Sequence, residues 1–259
     1  MFTYQGKTAL ITGASSGIGS TFAYALAERK MNVVLVARSE ERLRALATEL
    51  EQKHGIVATV IAADLGQEYA ARSLQQEVER RGIVVDLLVN NAGFANNGFF
   101  ESITLERDHQ QVMVDVATVV DMAHAFIPAM LKRGEGAVIN VASTAAFQPL
   151  PYMAVYGASK AFVLSFSQAL SEEYRKRGIR VLALCPGATE TPFFDVAGDA
   201  ASVGKRRTPE QAVATGLRAL EQGRSVVIDG GSNAFVAQLT RLMPRRMVAS
   251  VAGRAVHPK

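Results

Sequence analysis

Short β-branched runs alternate with longer stretches of helical periodicity along almost the whole chain, and that alternation leaves few folds open. The short runs fall at 8–12, 32–36, 56–62, 84–89, 137–141, 179–184 and 225–228. Most are apolar nearly throughout, as strands covered by helices on both faces must be, whereas a half-exposed strand would alternate. Between them the stretches 20–30, 40–53, 69–81, 104–132, 155–176 and 209–222 repeat apolar residues three and four apart, which gives a helix one buried stripe. Strands separated by helices join in parallel through crossovers. The sequence therefore predicts an α/β fold, a doubly wound parallel sheet of about seven strands with helices on both faces. With 259 residues, 49% of them hydrophobic, and no linker, repeat or low-complexity tract, a single domain is expected.

Charge and cysteine usage narrow the partners. Lys and Arg number 28 against 24 Asp and Glu, for a net charge of +4, but the excess is local: residues 233–259 hold Arg241, Arg245, Arg246, Arg254 and Lys259 and no acid. No basic patch interleaved with aromatics occurs elsewhere, so nucleic acid is not an expected partner. The one cysteine, Cys185, ends an apolar run and reads as a small buried hydrophobe in a reducing compartment. Met1–Lys7 lacks a basic segment leading into an apolar one, and no run of 18 apolar residues occurs. Secretion and membrane spanning are not expected, and a cytoplasmic location is.

The chemistry begins at the end of the first strand, where Thr12-Gly13-Ala14-Ser15-Ser16-Gly17-Ile18-Gly19 leads into a helix. A strand, a glycine turn and a helix start form a phosphate site: glycines let the backbone approach a pyrophosphate, and the helix N-terminus aims free N–H groups at it. NAD sites carry an acid at the end of the second strand, but no acid occurs from Arg29 to Ser39. Arg38 stands there instead, 19 residues after Gly19, and its guanidinium suits a ribose 2′-phosphate; the alternative is a solvated strand-end side chain. After the fourth strand, Asn90-Asn91-Ala92-Gly93 lies where a doubly wound sheet reverses order, the edge at which ligands bind.

Ser143 follows the fifth strand, and Tyr156 and Lys160 lie four apart on the next helix, hence on one face. A phenol titrates near pH 10, so it serves as an acid or base at neutral pH only with help; a nearby ammonium is expected to lower its pKa. The serine hydroxyl can hold a carbonyl oxygen while the tyrosine gives or takes its proton.

With these motifs in place, the sequence resembles the short-chain dehydrogenase/reductase family from Lys7 to about Gly231. The resemblance rests on Thr12 to Gly19, Asn90 to Gly93, Ser143, Tyr156, Lys160 and Pro186-Gly187. It implies a Rossmann fold and hydride transfer between the nicotinamide of NADP(H) and a carbinol or carbonyl carbon, with Tyr156 as acid or base. Lys160 would hold the nicotinamide ribose and lower the Tyr156 pKa. The cofactor set implied is Gly13, Ser15, Ser16, Gly17, Ile18, Gly19, Arg38, Asp64, Asn91, Ala92, Gly93, Tyr156, Lys160, Pro186, Gly187, Thr189 and Thr191, with Asp64 toward the adenine and the threonines toward the nicotinamide. No metal is implied. Where the family has Asn in the long helix after the fourth strand, this chain has Asp115, a carboxylate whose charge would compete for Lys160.

The expected function is thus an NADP(H)-dependent oxidoreductase acting on a moderately apolar ketone or secondary alcohol. The alternatives are a reductase of 3-oxoacyl thioesters on an acyl carrier or CoA, and a non-catalytic NADPH-binding protein. Phe94, Phe147, Tyr152, Met153, Phe193 and Phe194 are expected to wall the substrate pocket, because they follow the motifs or lie on the long irregular stretch 187–208. That stretch reads as a lid, or else as a loop docked on the core. Residues 1–232 are taken as the dinucleotide-binding catalytic part and 233–259 as a basic amphipathic extension of the same domain. In that extension Phe235, Val236, Leu239, Leu242 and Met243 share a helical face before Pro244. This face packs on the domain or a second subunit, or meets an anionic lipid surface or acidic carrier. The family resemblance implies a homodimer or homotetramer using the long helices.

Overall fold

In the computed structural model, which describes residues 2–240 and 242–258, seven strands lie parallel in one sheet. They are β1 (Thr8–Thr12), β2 (Asn32–Ala37), β3 (Ala58–Ala62), β4 (Leu87–Asn90), β5 (Gly136–Val141), β6 (Ile179–Cys185) and β7 (Val226–Ile228), in the order β3-β2-β1-β4-β5-β6-β7. The order reverses between β1 and β4, so the crossovers open a crevice at the C-terminal ends of these two strands. Strands β1, β2, β4 and β5 are almost wholly buried, which is why their sequences do not alternate.

Two apolar layers hold the sheet. On one face α1 (Gly17–Glu28), α2 (Glu40–His54) and α8 (Pro209–Glu221) bury Phe22, Leu26, Leu43, Leu50 and Leu217 with Ile11, Leu35 and Leu184 of the strands. On the other, α3 (Ala70–Arg80) and α5 (Thr118–Arg133) bury Leu74, Val78, Met122, Phe126 and Met130 with Leu10, Val34, Leu88 and Val181. The remaining helices are α4 (Leu105–Val112), α6 (Ala154–Tyr174), α7 (Phe193–Ala197), α9 (Gly231–Leu239) and α10 (Arg245–Ala255). Truncating one of the fully buried leucines is expected to cost about 2–5 kcal/mol through lost transfer energy and the cavity left behind.

Three differences from the expected elements matter. First, α1 starts at Gly17, three residues before the expected Ser20, so the last glycines of the motif already belong to its first turn. Second, 104–132 is not one regular helix: α4 and α5 are joined by a π turn at Met113–Ala117, which carries Asp115 into the interior. The continuous segment Leu105–Arg133 is long and apolar enough to cross a membrane by length and composition, but Val119, Met122, Phe126 and Met130 are buried in this domain. Third, 187–208 is not wholly irregular, since it contains α7 and a short turn at Asp199–Ala201.

Candidate active site

The glycine motif forms a turn pinned from β4. Thr12 Oγ1 accepts the amides of Asn91 (2.9 Å) and Ala92 (3.0 Å), and Asn91 Nδ2 donates to the carbonyls of Thr12 (2.9 Å) and Gly13 (3.3 Å). Gly13 and Gly17 adopt positive φ of 64° and 56°, where an L side chain is strained. A Cβ on Gly19 would lie 2.2 Å from the Gly13 carbonyl oxygen, so that glycine, although expected in the cofactor set, permits the close approach of helix to turn and does not itself line the cleft. No side chain caps the N-terminus of α1, whose amides face the crevice.

One cleft of about 1280 Å³ runs from this turn across the ends of β1, β4, β5 and β6. Its lining includes every other expected cofactor residue: Gly13, Ser15, Ser16, Gly17, Ile18, Arg38, Asp64, Asn91, Ala92, Gly93, Tyr156, Lys160, Pro186, Gly187, Thr189 and Thr191. Asp64 is held by the amide of Gly66 at 3.0 Å. Exposed Arg38 has a companion that the sequence reading missed, Arg42, exposed on the first turns of α2 and lining the same rim. The missed signal was a second basic residue four positions on. The donor set therefore fits a dinucleotide with a phosphorylated ribose: free helix amides for the pyrophosphate and two guanidiniums for the added charge.

At the far end of the cleft the three candidate catalytic side chains converge. Ser143 lies two residues beyond the end of β5 and accepts the Ala145 amide at 3.1 Å. Lys160 is buried: its Nζ donates to the Val141 carbonyl at 3.2 Å and lies 5.7 Å from the Tyr156 ring centroid. Burial raises the Tyr156 phenol above its ordinary value of 10; the Ser143 hydroxyl opposes this, and the Asp115 charge adds to it. The expected lowering by the ammonium is thus corrected, because the cost of desolvating a phenolate dominates.

Asp115 lies beside Lys160, fully buried, its Oδ2 3.9 Å from Nζ, and its Oδ1 accepts the Phe94 amide at 3.3 Å. Oδ2 takes no hydrogen bond. Burial pushes this carboxyl from 3.8 up to about 6, with Lys160, the Phe94 amide and Gln111 acting against it. Between about pH 4 and 6 the folded protein keeps a proton that the unfolded chain has lost, so stability falls as pH rises through that window. Asp115→Asn is accordingly expected to be more stable than the parent at pH 8, on the order of 2 kcal/mol, with little difference at pH 3.5. Urea midpoints at the two pH values check this; equal differences at both would refute the charge origin.

The substrate wall is partly corrected. Phe94, Met153, Phe193 and Phe194 line the cleft, Phe193 with its ring 5.6 Å from that of Tyr156. Phe147 and Tyr152 do not. Phe147 packs beside Ala142 and Val163, and Tyr152, at φ 62°, turns toward Phe99 and His257. Leu150, Val196 and Val256 line the cleft instead. The stretch 187–208 is tied down at its base, where the Arg207 amide donates to Ala188 and Arg207 pairs with buried Asp229 at 2.6 Å. Cys185 is buried, and its thiol is pushed up to about 12, as befits a packing residue.

Two supporting residues, Asn140 and Ser167, had no sequence signal and extend the Asn90 motif. Asn90 Nδ2 donates to Asn140 Oδ1, Asn140 Nδ2 to Ser167 Oγ, each at 2.9 Å, and Ser167 Oγ to the Val163 carbonyl. This buried chain ties the ends of β4 and β5 to α6, the helix that carries Tyr156 and Lys160.

The model of the family described as short chain dehydrogenase matches residues 7–201. The 17-beta-hydroxysteroid dehydrogenase type 3 of Mus musculus is 36% identical over 192 residues, covering 73% of this chain and 62% of that protein. The very-long-chain 3-oxoacyl-CoA reductase of Anas platyrhynchos is 35% identical over 186 residues, covering 70% and 59% respectively. The match thus spans under two thirds of the length of both curated relatives. Among solved structures, a short-chain dehydrogenase from Sphingobium yanoikuyae in complex with NADPH matches at 33% identity and TM-score 0.82, over 92% of this chain and 95% of the other.

Proposed function

Because the chain belongs to the short-chain dehydrogenase family, we propose that it is an NADP(H)-dependent oxidoreductase interconverting a bulky, moderately apolar ketone and its secondary alcohol. The observation that carries this reading is that one continuous cleft joins the glycine turn and its two arginines to Ser143, Tyr156 and Lys160 beneath Phe94, Phe193 and Phe194. The cofactor, when bound, supplies or takes the hydride. Arg38 and Arg42 hold its ribose phosphate, and the N-terminus of α1 its pyrophosphate. The Ser143 hydroxyl donates to the substrate oxygen and orients the carbonyl. Tyr156 donates its proton to that oxygen as negative charge develops there. A phenol held above its ordinary value is protonated at neutral pH and can act as the acid in reduction. Lys160 holds the nicotinamide ribose and supplies positive charge, and the aromatic wall excludes water.

The two curated relatives are named for a steroid and a very long acyl chain, both large and apolar. A panel of steroid and bulky aromatic ketones with NADPH tests the reading. Turnover with NADPH well above that with NADH supports it, and no turnover of any carbonyl compound would instead favour a non-catalytic NADPH-binding protein. A thioester substrate is a second reading, supported by Lys205 and Arg206 on the cleft lining, which suit the phosphates of coenzyme A, whereas Arg207 is engaged by Asp229. Comparing a 3-oxoacyl ester with its CoA thioester separates the two. Assembly as a homodimer or homotetramer is proposed through the faces of α4 and α6, where Leu105 and Phe162 are exposed.

A further inference from the structure

Residues 233–259 place apolar side chains in solvent beside arginines, with no acidic residue among them. In α9, Ala237 is buried against the cleft, while Phe235 and Val236 are 69% and 52% exposed. Leu242, in the turn that follows, is 84% exposed. Helix α10 turns Val248 and Ala252 inward, and presents Met247 and Val251 to solvent with Arg246 and Arg254 at neighbouring helical positions. Of the five basic residues, Arg241 and Lys259 lie outside the described residues. Of the helical face expected from 235, 236, 239, 242 and 243, only Phe235, Val236 and Leu239 fall on α9, all exposed; Leu242 and Met243 lie in the turn beyond it, Leu242 exposed and Met243 half-buried. Single exposed hydrophobics are ordinary; several on consecutive elements mark an interaction site.

We propose that α9 and α10 dock the protein on an anionic lipid surface. Charge selects this occupant. A second copy using the same patch would set Arg245, Arg246 and Arg254 against their own equivalents, with no acid in the segment to offset them. A leaflet of anionic headgroups attracts each arginine, while Phe235, Leu239, Leu242, Met247 and Val251 enter the boundary between headgroups and acyl chains. The same segment reaches the cleft: Ala237 of α9, Ala252 of α10 and Val256 just beyond it line the cleft, with the edge of exposed Val236, and Val256 packs in one cluster with Tyr156. Docking thus brings the substrate end of the cleft to the membrane surface. Entry of an apolar substrate from the bilayer rests on the proposed oxidoreductase reading; docking itself does not.

The test uses the full chain and flotation with vesicles of phosphatidylcholine alone or mixed with phosphatidylserine, in low and high salt. Binding is expected only with phosphatidylserine, and it falls as salt rises. Arg245→Gln with Arg246→Gln is expected to weaken it about thirtyfold, at roughly one order of ten for each 1.4 kcal/mol and about 1 kcal/mol per arginine. Phe235→Ser with Leu242→Ser is expected to weaken it about tenfold or more. These four side chains are exposed and lie off the cleft lining, so circular dichroism and NADPH binding should be unchanged and serve as controls of folding. Absence of binding to phosphatidylserine vesicles in low salt overturns the proposal, as does binding that neither double variant weakens. If Phe235→Ser with Leu242→Ser splits an oligomer that itself ignores vesicles, the face belongs to a second copy.

Discussion

Tyr156→Phe is expected to lower turnover by about 10²–10⁴-fold while leaving NADPH affinity within about threefold of the parent. The split follows from what the substitution removes. Tyr156 is buried, and its ring packs with Ala145, Met153, Phe193 and Val256, all of which phenylalanine retains. Only the hydroxyl goes, and with it the proton that the substrate oxygen must receive. Lys160→Ala, by contrast, should damage both turnover and NADPH binding, because in the proposed reading its ammonium holds the nicotinamide ribose beside Tyr156. Stopped-flow fluorescence of NADPH binding, run beside steady-state reduction of the best ketone, checks both. A Phe variant keeping more than about a tenth of parental turnover would remove Tyr156 from the acid role. Asp115→Asn tests the same proton from the other side. Since the Asp115 charge raises the Tyr156 pKa, its removal is expected to shift the pH profile of alcohol oxidation downward.

The second large effect concerns cofactor choice. Arg38→Asp is expected to reduce kcat/KM with NADPH about a hundredfold or more and to raise it with NADH, reversing the preference. A charge-assisted hydrogen bond to the 2′-phosphate is worth about 1.5–3 kcal/mol, and the introduced carboxylate adds repulsion toward the phosphate while accepting a ribose hydroxyl. Arg42→Gln, which removes one charge and adds none, is expected to cost NADPH about tenfold and leave NADH unchanged. Parallel kinetics with the two cofactors at one ionic strength measure both ratios. Equal use of NADH and NADPH by the parent protein would set this assignment aside.

Strand and helix positions were legible because burial periodicity is a local property. The apolar runs of β1, β2, β4 and β5 and the three-four spacing of α2 and α8 state which side chains must leave water, and only a parallel sheet covered on both faces satisfies all of them at once. The cofactor turn was legible for a related reason: Gly13 and Gly17 sit at positive φ, a constraint that one residue type records by itself. Tyr156 and Lys160 share a face because four residues make about one helical turn. Each of these inferences needs only neighbours along the chain.

What the tertiary structure alone decided depends on residues that meet from distant segments. Whether Phe147 and Tyr152 face the cleft is set by the backbone between β5 and α6, and they turn away while Leu150 and Val256 take their places. The chain from Asn90 through Asn140 to Ser167 joins three elements that no spacing rule connects. The π turn brings Asp115 under Gly93 and beside Lys160, so a carboxylate in mid-helix becomes a fully buried charge that adds to the desolvation raising the Tyr156 phenol. The tail shows the same division: its spacing predicts an apolar helical face, but only the folded arrangement leaves Phe235 and Leu242 in solvent. Sequence periodicity specifies which surfaces need covering. Which surface covers them, and what that does to a proton, is fixed by desolvation and Coulomb forces among groups that only the fold brings within a few ångströms.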